Sequence, residues 1–148
     1  MKSLHALILA LHEDDDHSFI VAESLKKSGH AVILCKNFNE AISVLKEKHV
    51  DMIVSDVHLQ NGGNVFDFLR WAKKNPSTCD TPFVLFSAAP TKMAKYIEDG
   101  LRTSARLLGA AMYITMENFD SDEFRKKIDA LLSAADQTTE LSITGKGE

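Results

Sequence analysis

Asp56 closes the segment Asp51-Met52-Ile53-Val54-Ser55-Asp56, a mostly apolar, partly β-branched run that delivers one carboxylate to the end of a buried strand. A second acidic cluster, Glu13-Asp14-Asp15-Asp16, follows another apolar run, Ala6 to Leu11. In an open α/β sheet the carboxyl ends of the strands are where ligands bind. Two strands that end in carboxylates at one edge can hold a divalent cation beside an acceptor oxygen, an arrangement suited to phosphoryl chemistry.

Other chemistries lack their residues. No G-x-G-x-x-G follows the first strand, and no G-x-x-x-x-G-K-[ST] or G-x-S-x-G occurs, which argues against dinucleotide, P-loop and serine-hydrolase sites. The acidic turn after the first strand would repel a phosphate-bearing cofactor. His12 and His58 have no third histidine or cysteine at ligand spacing, so a transition-metal site is not expected there. Cys35 and Cys79 lack CxxC spacing and are expected as free thiols.

Composition bounds the class. The chain has 148 residues, 45% hydrophobic and 26% charged, which fits one globular domain. A net charge of −4 argues against a direct nucleic-acid partner. No apolar stretch approaches a membrane span, and Met1-Lys2-Ser3 leads straight into a strand-like run without signal-peptide regions, so a cytoplasmic protein is expected.

The elements that must position these carboxylates alternate. Strand-like runs are Ala6–Leu11, Ala31–Cys35, Met52–Ser55, Pro82–Ser87 and Ala111–Thr115. Helical spacing covers Ser18–Ser28 up to Gly29, a segment capped by Asn37 or Asn39, Val65–Lys74, Lys92–Leu108 and Ser121–Ala134. Asn61-Gly62-Gly63-Asn64 is a loop. Five strand–helix repeats predict a doubly wound five-stranded parallel sheet, with helices on both faces. The domain is read over residues 4–135, with 136–148 a flexible polar tail. In the stretch after Ser87, Met93, Ile97, Leu101 and Leu108 mark a buried stripe, and Lys92, Lys95, Arg102 and Arg106 an outer basic face suited to an acidic partner.

Taken together, residues 4–134 resemble the response-regulator receiver domain of two-component systems. The resemblance rests on the acidic cluster after strand one, Asp56 closing strand three, Ser87 closing strand four before Ala88, and Gly109-Ala110 leading into Met112-Tyr113-Ile114. It implies a flavodoxin-like sheet of order 2-1-3-4-5. It implies Asp56 as phospho-acceptor, Ser87 as the hydroxyl that senses the phosphoryl group, and Tyr113 as the switch aromatic. It also implies Mg²⁺ held by Glu13, Asp14, Asp56 and the backbone carbonyl of His58. The implied partners are a histidine kinase or phosphotransfer protein and a downstream protein, and the implied action is binding rather than enzymatic turnover.

Several positions depart from the family pattern. Aligning Leu11 and Gly29 with their family counterparts puts His12 and Glu13 where two acids normally stand; a shift of one residue restores Glu13-Asp14 but disturbs the first helix. The family lysine after strand five falls on Met116, and the proline after it on Glu117. Met116 is expected as an apolar filler with a trans bond to Glu117. Lys92 and Lys95 are the nearest alternative cations by sequence. Two functions follow: a stand-alone receiver phosphorylated on Asp56, or a pseudo-receiver that binds partners without phosphorylation.

Overall fold

Short, mostly apolar strands need cover on both sides, and the chain supplies it by alternating each strand with a helix. The computed structural model describes residues 5–57, 64–88 and 95–146, with backbone alone at Ala88 and from 136 onward. Its elements are β1 (Leu7–Leu11), α1 (Asp15–Lys27), β2 (Ala31–Cys35), α2 (Phe38–Glu47), β3 (Met52–Asp56), α3 (Val65–Lys74), β4 (Phe83–Ala88), α4 (Glu98–Leu107), β5 (Met112–Met116) and α5 (Ser121–Lys146). The sheet is parallel throughout, in the order β2-β1-β3-β4-β5. This is the expected doubly wound, flavodoxin-like arrangement.

Side chains that alternate along each strand divide into two cores. Leu9, Leu11, Ile53, Phe83 and Leu85 pack with Phe68 and Leu69 of α3 and Ala105 of α4. Ile8, Ala10, Met52, Val54, Val84, Phe86 and Ile114 pack with Val21 and Leu25 of α1 and Phe124 and Ile128 of α5. Each of these residues is at most 3% exposed, so the central strands are sealed on both faces, while Leu34 of the edge strand β2 is 46% exposed.

The helix starts follow from their caps. Asn37 accepts from the Glu40 amide at 2.9 Å, and Asn64 from the Phe66 amide at 2.8 Å. Gly29 ends α1 with φ of 90°, a left-handed conformation that glycine adopts without steric cost. Two boundaries differ from the sequence expectation. The first helix begins at Asp15, three residues before Ser18, because Asp14 caps it. The last runs to Lys146 through the stretch expected to be a flexible tail; no proline interrupts its ladder, and the first glycine after Ser121 is Gly145.

Candidate functional site

Sheet register brings the site together. Leu11 of β1 pairs with Ser55 of β3, so the next residues outward, His12 and Asp56, are neighbours at the carboxyl edge. Both share the parity of Ala10 and Val54, which face the α1 and α5 layer. Asp56 is 8% exposed and His12 only 1%. The His12 Nδ1 atom lies 4.0 Å from Asp56 Oδ2, beyond hydrogen-bond reach. Neither ring nitrogen of His12 has a hydrogen-bond partner among the described residues. The imidazole stands edge-on to Phe86, with centroids 6.2 Å apart. Burial lowers its pKa from 6.5 to about 4, with a further push from His17 and a smaller opposing pull from Asp14. At neutral pH this is therefore an uncharged ring beside a carboxylate, not an ion pair.

The expected acidic residues divide between roles. Asp14 is exposed and accepts from the His17 amide at 3.0 Å as the α1 cap, a bond that also lowers its pKa. Asp15 pairs with Lys36 at 2.6 Å. Glu13 is half-buried. His12, not Asp14, is the residue set against Asp56. The expected backbone ligand at His58 lies outside the described residues. Among the described residues, no three His, Cys, Asp or Glu side chains come together to hold a metal ion. Mg²⁺ takes an octahedral shell of oxygen ligands. His12 stands against Asp56 and Asp14 caps α1, so of the expected oxygen donors Glu13 and Asp56 remain at this edge, with the His58 carbonyl outside the described residues.

The outer strands carry the remaining candidates. Ser87, the penultimate residue of β4, lies one residue beyond Phe86, the register partner of Asp56, and is 1% exposed. Tyr113 of β5 is half-buried on the α3–α4 side. Burial raises its phenol pKa, and the Glu98 charge adds to the rise. Arg102 of α4 reaches it twice: Nη1 donates to the Tyr113 carbonyl at 3.1 Å, and the guanidinium carbon lies 4.8 Å over the ring. Arg102 therefore points partly inward, while Arg106 remains exposed. Ile97, expected in the buried stripe, is 44% exposed; Leu101 and Leu108 do pack on the core. Met93 and Lys92 lie outside the described residues.

Met116 is 8% exposed and packs in the cluster of Phe86, Ile114 and Phe124, with Phe119 against it. It is the apolar filler that the sequence led us to expect. The Met116–Glu117 bond is trans, as no peptide is cis among the described residues. Lys95 donates to Glu117, joining the approach to α4 with the residue that follows β5. Sequence spacing did not signal this pair or the Arg102–Tyr113 contact, because both depend on the path of the segment after β4.

Solved structures resemble this arrangement over most of the chain. The chemotaxis response regulator CheY4 of Vibrio cholerae matches with a TM-score of 0.70 at 19% identity, covering 84% of this chain and 97% of that one. The signal receiver domain of a signal transduction histidine kinase from Syntrophus aciditrophicus matches at 0.71 and 20%, covering 87% and 91%. NtrX from Brucella abortus matches at 0.83 and 20%, covering 95% of this chain and 30% of NtrX. The chain has the receiver fold. No family model matches the sequence, and no curated protein matches it. No helix among the described residues is long and apolar enough to cross a membrane.

Proposed function

We propose that this receiver-fold chain serves phosphorelay signalling in the cytoplasm as a protein-interaction module, with Asp56 as the residue that accepts a phosphoryl group. The observation that carries the reading is Asp56 itself: a carboxylate at the carboxyl end of the central strand, nearly buried, where the fold presents ligand sites. A phosphoryl group there adds about one and a half to two negative charges in a low-dielectric pocket. Such a charge biases how the surrounding elements pack, and a partner reads the bias. Ser87, next outward on β4, would be the hydroxyl that meets it. Arg102 ties Tyr113 to α4, so movement of α4 and of Tyr113 would be linked. The donor would be a histidine kinase or phosphotransfer protein, and the output a contact with a second protein rather than turnover of a substrate. If Mg²⁺ is bound, Glu13, Asp14 and Asp56 would hold it and it would offset the charge of the phosphoryl group.

A second reading is favoured by His12 and Met116. A neutral imidazole and an apolar plug stand where a carboxylate and an ammonium would support phosphoryl transfer. On that reading the module binds its partner without phosphorylation. One experiment separates the two. The protein is incubated with acetyl phosphate and Mg²⁺, and separately with an autophosphorylated histidine kinase, and its intact mass is measured. Gain of one phosphoryl group in the wild type and none in Asp56→Asn supports the first reading. An unmodified wild type under both conditions rejects it in favour of the second.

A further inference from the structure

β2 lies at an edge of the sheet and pairs only with β1 among the described residues. The Ala31 amide donates to the Ala6 carbonyl at 2.9 Å, and the Cys35 carbonyl accepts from the His12 amide at 3.1 Å. Backbone groups of successive residues along a strand point to opposite sides, so Val32 and Leu34 present their N–H and C=O groups outward. Edges of this kind template pairing with another chain, and proteins blunt them with charge, proline or a bulge. Ala31-Val32-Ile33-Leu34-Cys35 carries neither charge nor proline, and its register with β1 runs without a bulge. Leu34 lies on the face of Ala10, its register partner, toward the α1 and α5 layer, yet it is 46% exposed. α1 extends this apolar surface. Ser24 meets Ser121 of α5 at 2.9 Å, and Asp15 pairs with Lys36, just past β2, at 2.6 Å. One flank of α1 therefore faces α5, and the other overhangs β2. Phe19, one helical turn on from Asp15, stands on the overhanging flank and is 65% exposed.

We propose that β2 pairs antiparallel with β2 of a second copy of this chain, about a two-fold axis at Ile33, so that the two sheets become one. The interface does not depend on phosphorylation of Asp56. The axis sets Val32 opposite Leu34 of the second copy, and Leu34 opposite its Val32. Both are hydrogen-bonded pairs of an antiparallel ladder, in which each residue gives and receives a bond, so every outward group of Val32 and Leu34 is met. Centring the pairing on Val32 or Leu34 would instead bring in His30 or Lys36. Their amides are already bonded, to the Leu25 carbonyl and the Glu40 carboxylate.

The helices above the seam select a second copy over a lone strand from another protein. α1 packs on both β1 and β2. Strands are about 4.8 Å apart, so the two α1 axes would lie roughly two such spacings apart, the distance of packed helices. The two-fold makes them antiparallel. The acidic first turn of each, Asp15-Asp16, then meets the basic last turn of the other, Lys26-Lys27. A lone strand would fill the ladder but leave Phe19 and these charged turns uncovered. One short strand and one helix flank make a small interface, so the dimer is weak and depends on concentration.

The test is sedimentation velocity of the full chain from about 5 μM to about 0.5 mM, the range of weak association, with backbone amide exchange measured at both ends of that range. A monomer–dimer equilibrium is expected, with the Val32 and Leu34 amides exchanging more slowly at the high concentration. Leu34→Lys puts a charge on the exposed edge, where folding tolerates it, and should weaken dimerisation by about tenfold or more. Asp16→Lys should weaken it less, and Asp16→Lys combined with Lys26→Asp should restore it. A monomer at every concentration, a dimer indifferent to Leu34→Lys, or a dimer whose Val32 and Leu34 amides exchange as fast as in the monomer would overturn the proposal. A combined variant no tighter than Asp16→Lys alone would reject the antiparallel two-fold. A monomer whose Val32 and Leu34 amides are protected by a synthetic peptide of residues 30–36 would assign the edge to another protein's strand instead.

Discussion

Arg102 holds Tyr113 from two directions, donating from Nη1 to its carbonyl oxygen at 3.1 Å and laying its guanidinium carbon 4.8 Å over its ring. Arg102 Nη2 also sits 3.4 Å from Glu98 Oε1, one helical turn earlier. The grip ties α4 to β5 at the residue expected to change position in signalling. Arg102→Gln removes a partly exposed cation–π contact of about 0.5–1 kcal/mol and a hydrogen bond of similar size. We expect urea unfolding to show a loss of about 1–2 kcal/mol and Tyr113 ring resonances to broaden. Arg102→Lys should recover little, since an ammonium cannot both stack and reach the carbonyl. An unchanged midpoint in Arg102→Gln would show that the contact contributes nothing.

Thiol reactivity should separate the two cysteines. Cys35 is 2% exposed at the end of β2, and burial pushes its pKa up to about 11, with the Glu40 charge adding to the rise. Cys79 is half-exposed in the turn after α3. Because the thiolate is the reactive form, native protein at pH 7.5 should react promptly with a thiol reagent at Cys79 and slowly at Cys35. Both should react in urea. Peptide mapping after a short pulse checks the assignment, and prompt labelling of Cys35 in the native state would contradict it.

Met116→Lys places an ammonium among Phe86, Ile114 and Phe124. Burial of an unpaired charge belongs to the strongly destabilising class of substitutions, and we expect a loss of roughly 1–3 kcal/mol. Met116→Leu keeps volume and polarity and should cost less than about 1.5 kcal/mol. If Asp56 accepts a phosphoryl mimic, beryllofluoride should recover part of the loss in Met116→Lys by supplying the missing anion. Equal stability of wild type and Met116→Lys would mean that the lysine escapes the pocket along its flexible stem.

Much of the fold was legible in the sequence because its signals are local. Five apolar runs separated by helical spacing specify a parallel sheet, and Asn37 and Gly29 mark helix ends by hydrogen bonding and backbone freedom. Asp56 was legible for the same reason, as a polar residue at the end of an apolar run. The site around it was less so. Whether His12–Glu13 or Glu13–Asp14 flanks Asp56 depends on where α1 begins, a matter of one residue decided by which aspartate caps it. Asp14 caps, so His12 is the neighbour. The partners of Arg102 and Lys95 lie 11 and 22 residues away across the edge of the sheet, a distance over which periodicity carries no information.

Acid should unfold this protein in part through His12. Its folded-state pKa is lowered from 6.5 to about 4, so the folded protein keeps the ring neutral where the unfolded chain already binds a proton. Stability rises with pH wherever the unfolded state holds more protons. The His12 contribution is therefore fully retained above about pH 6.5 and lost progressively as pH falls toward 4. Below that, both states are protonated and the loss stops. The shift corresponds to about 3 kcal/mol across the window, on the conversion of 1.36 kcal/mol per unit. Carboxylates titrate in the lower part of the same range, so the difference between wild type and His12→Gln isolates the histidine. We expect urea midpoints of the two to converge as pH is lowered from 7.5 to 4, with most of the change between about pH 6 and 4.5. His12→Gln leaves a neutral amide in the pocket at every pH and cannot follow that slope. Parallel pH profiles for the two proteins would show that the buried ring takes up its proton without penalty, and that its pocket is more polar than its surroundings indicate.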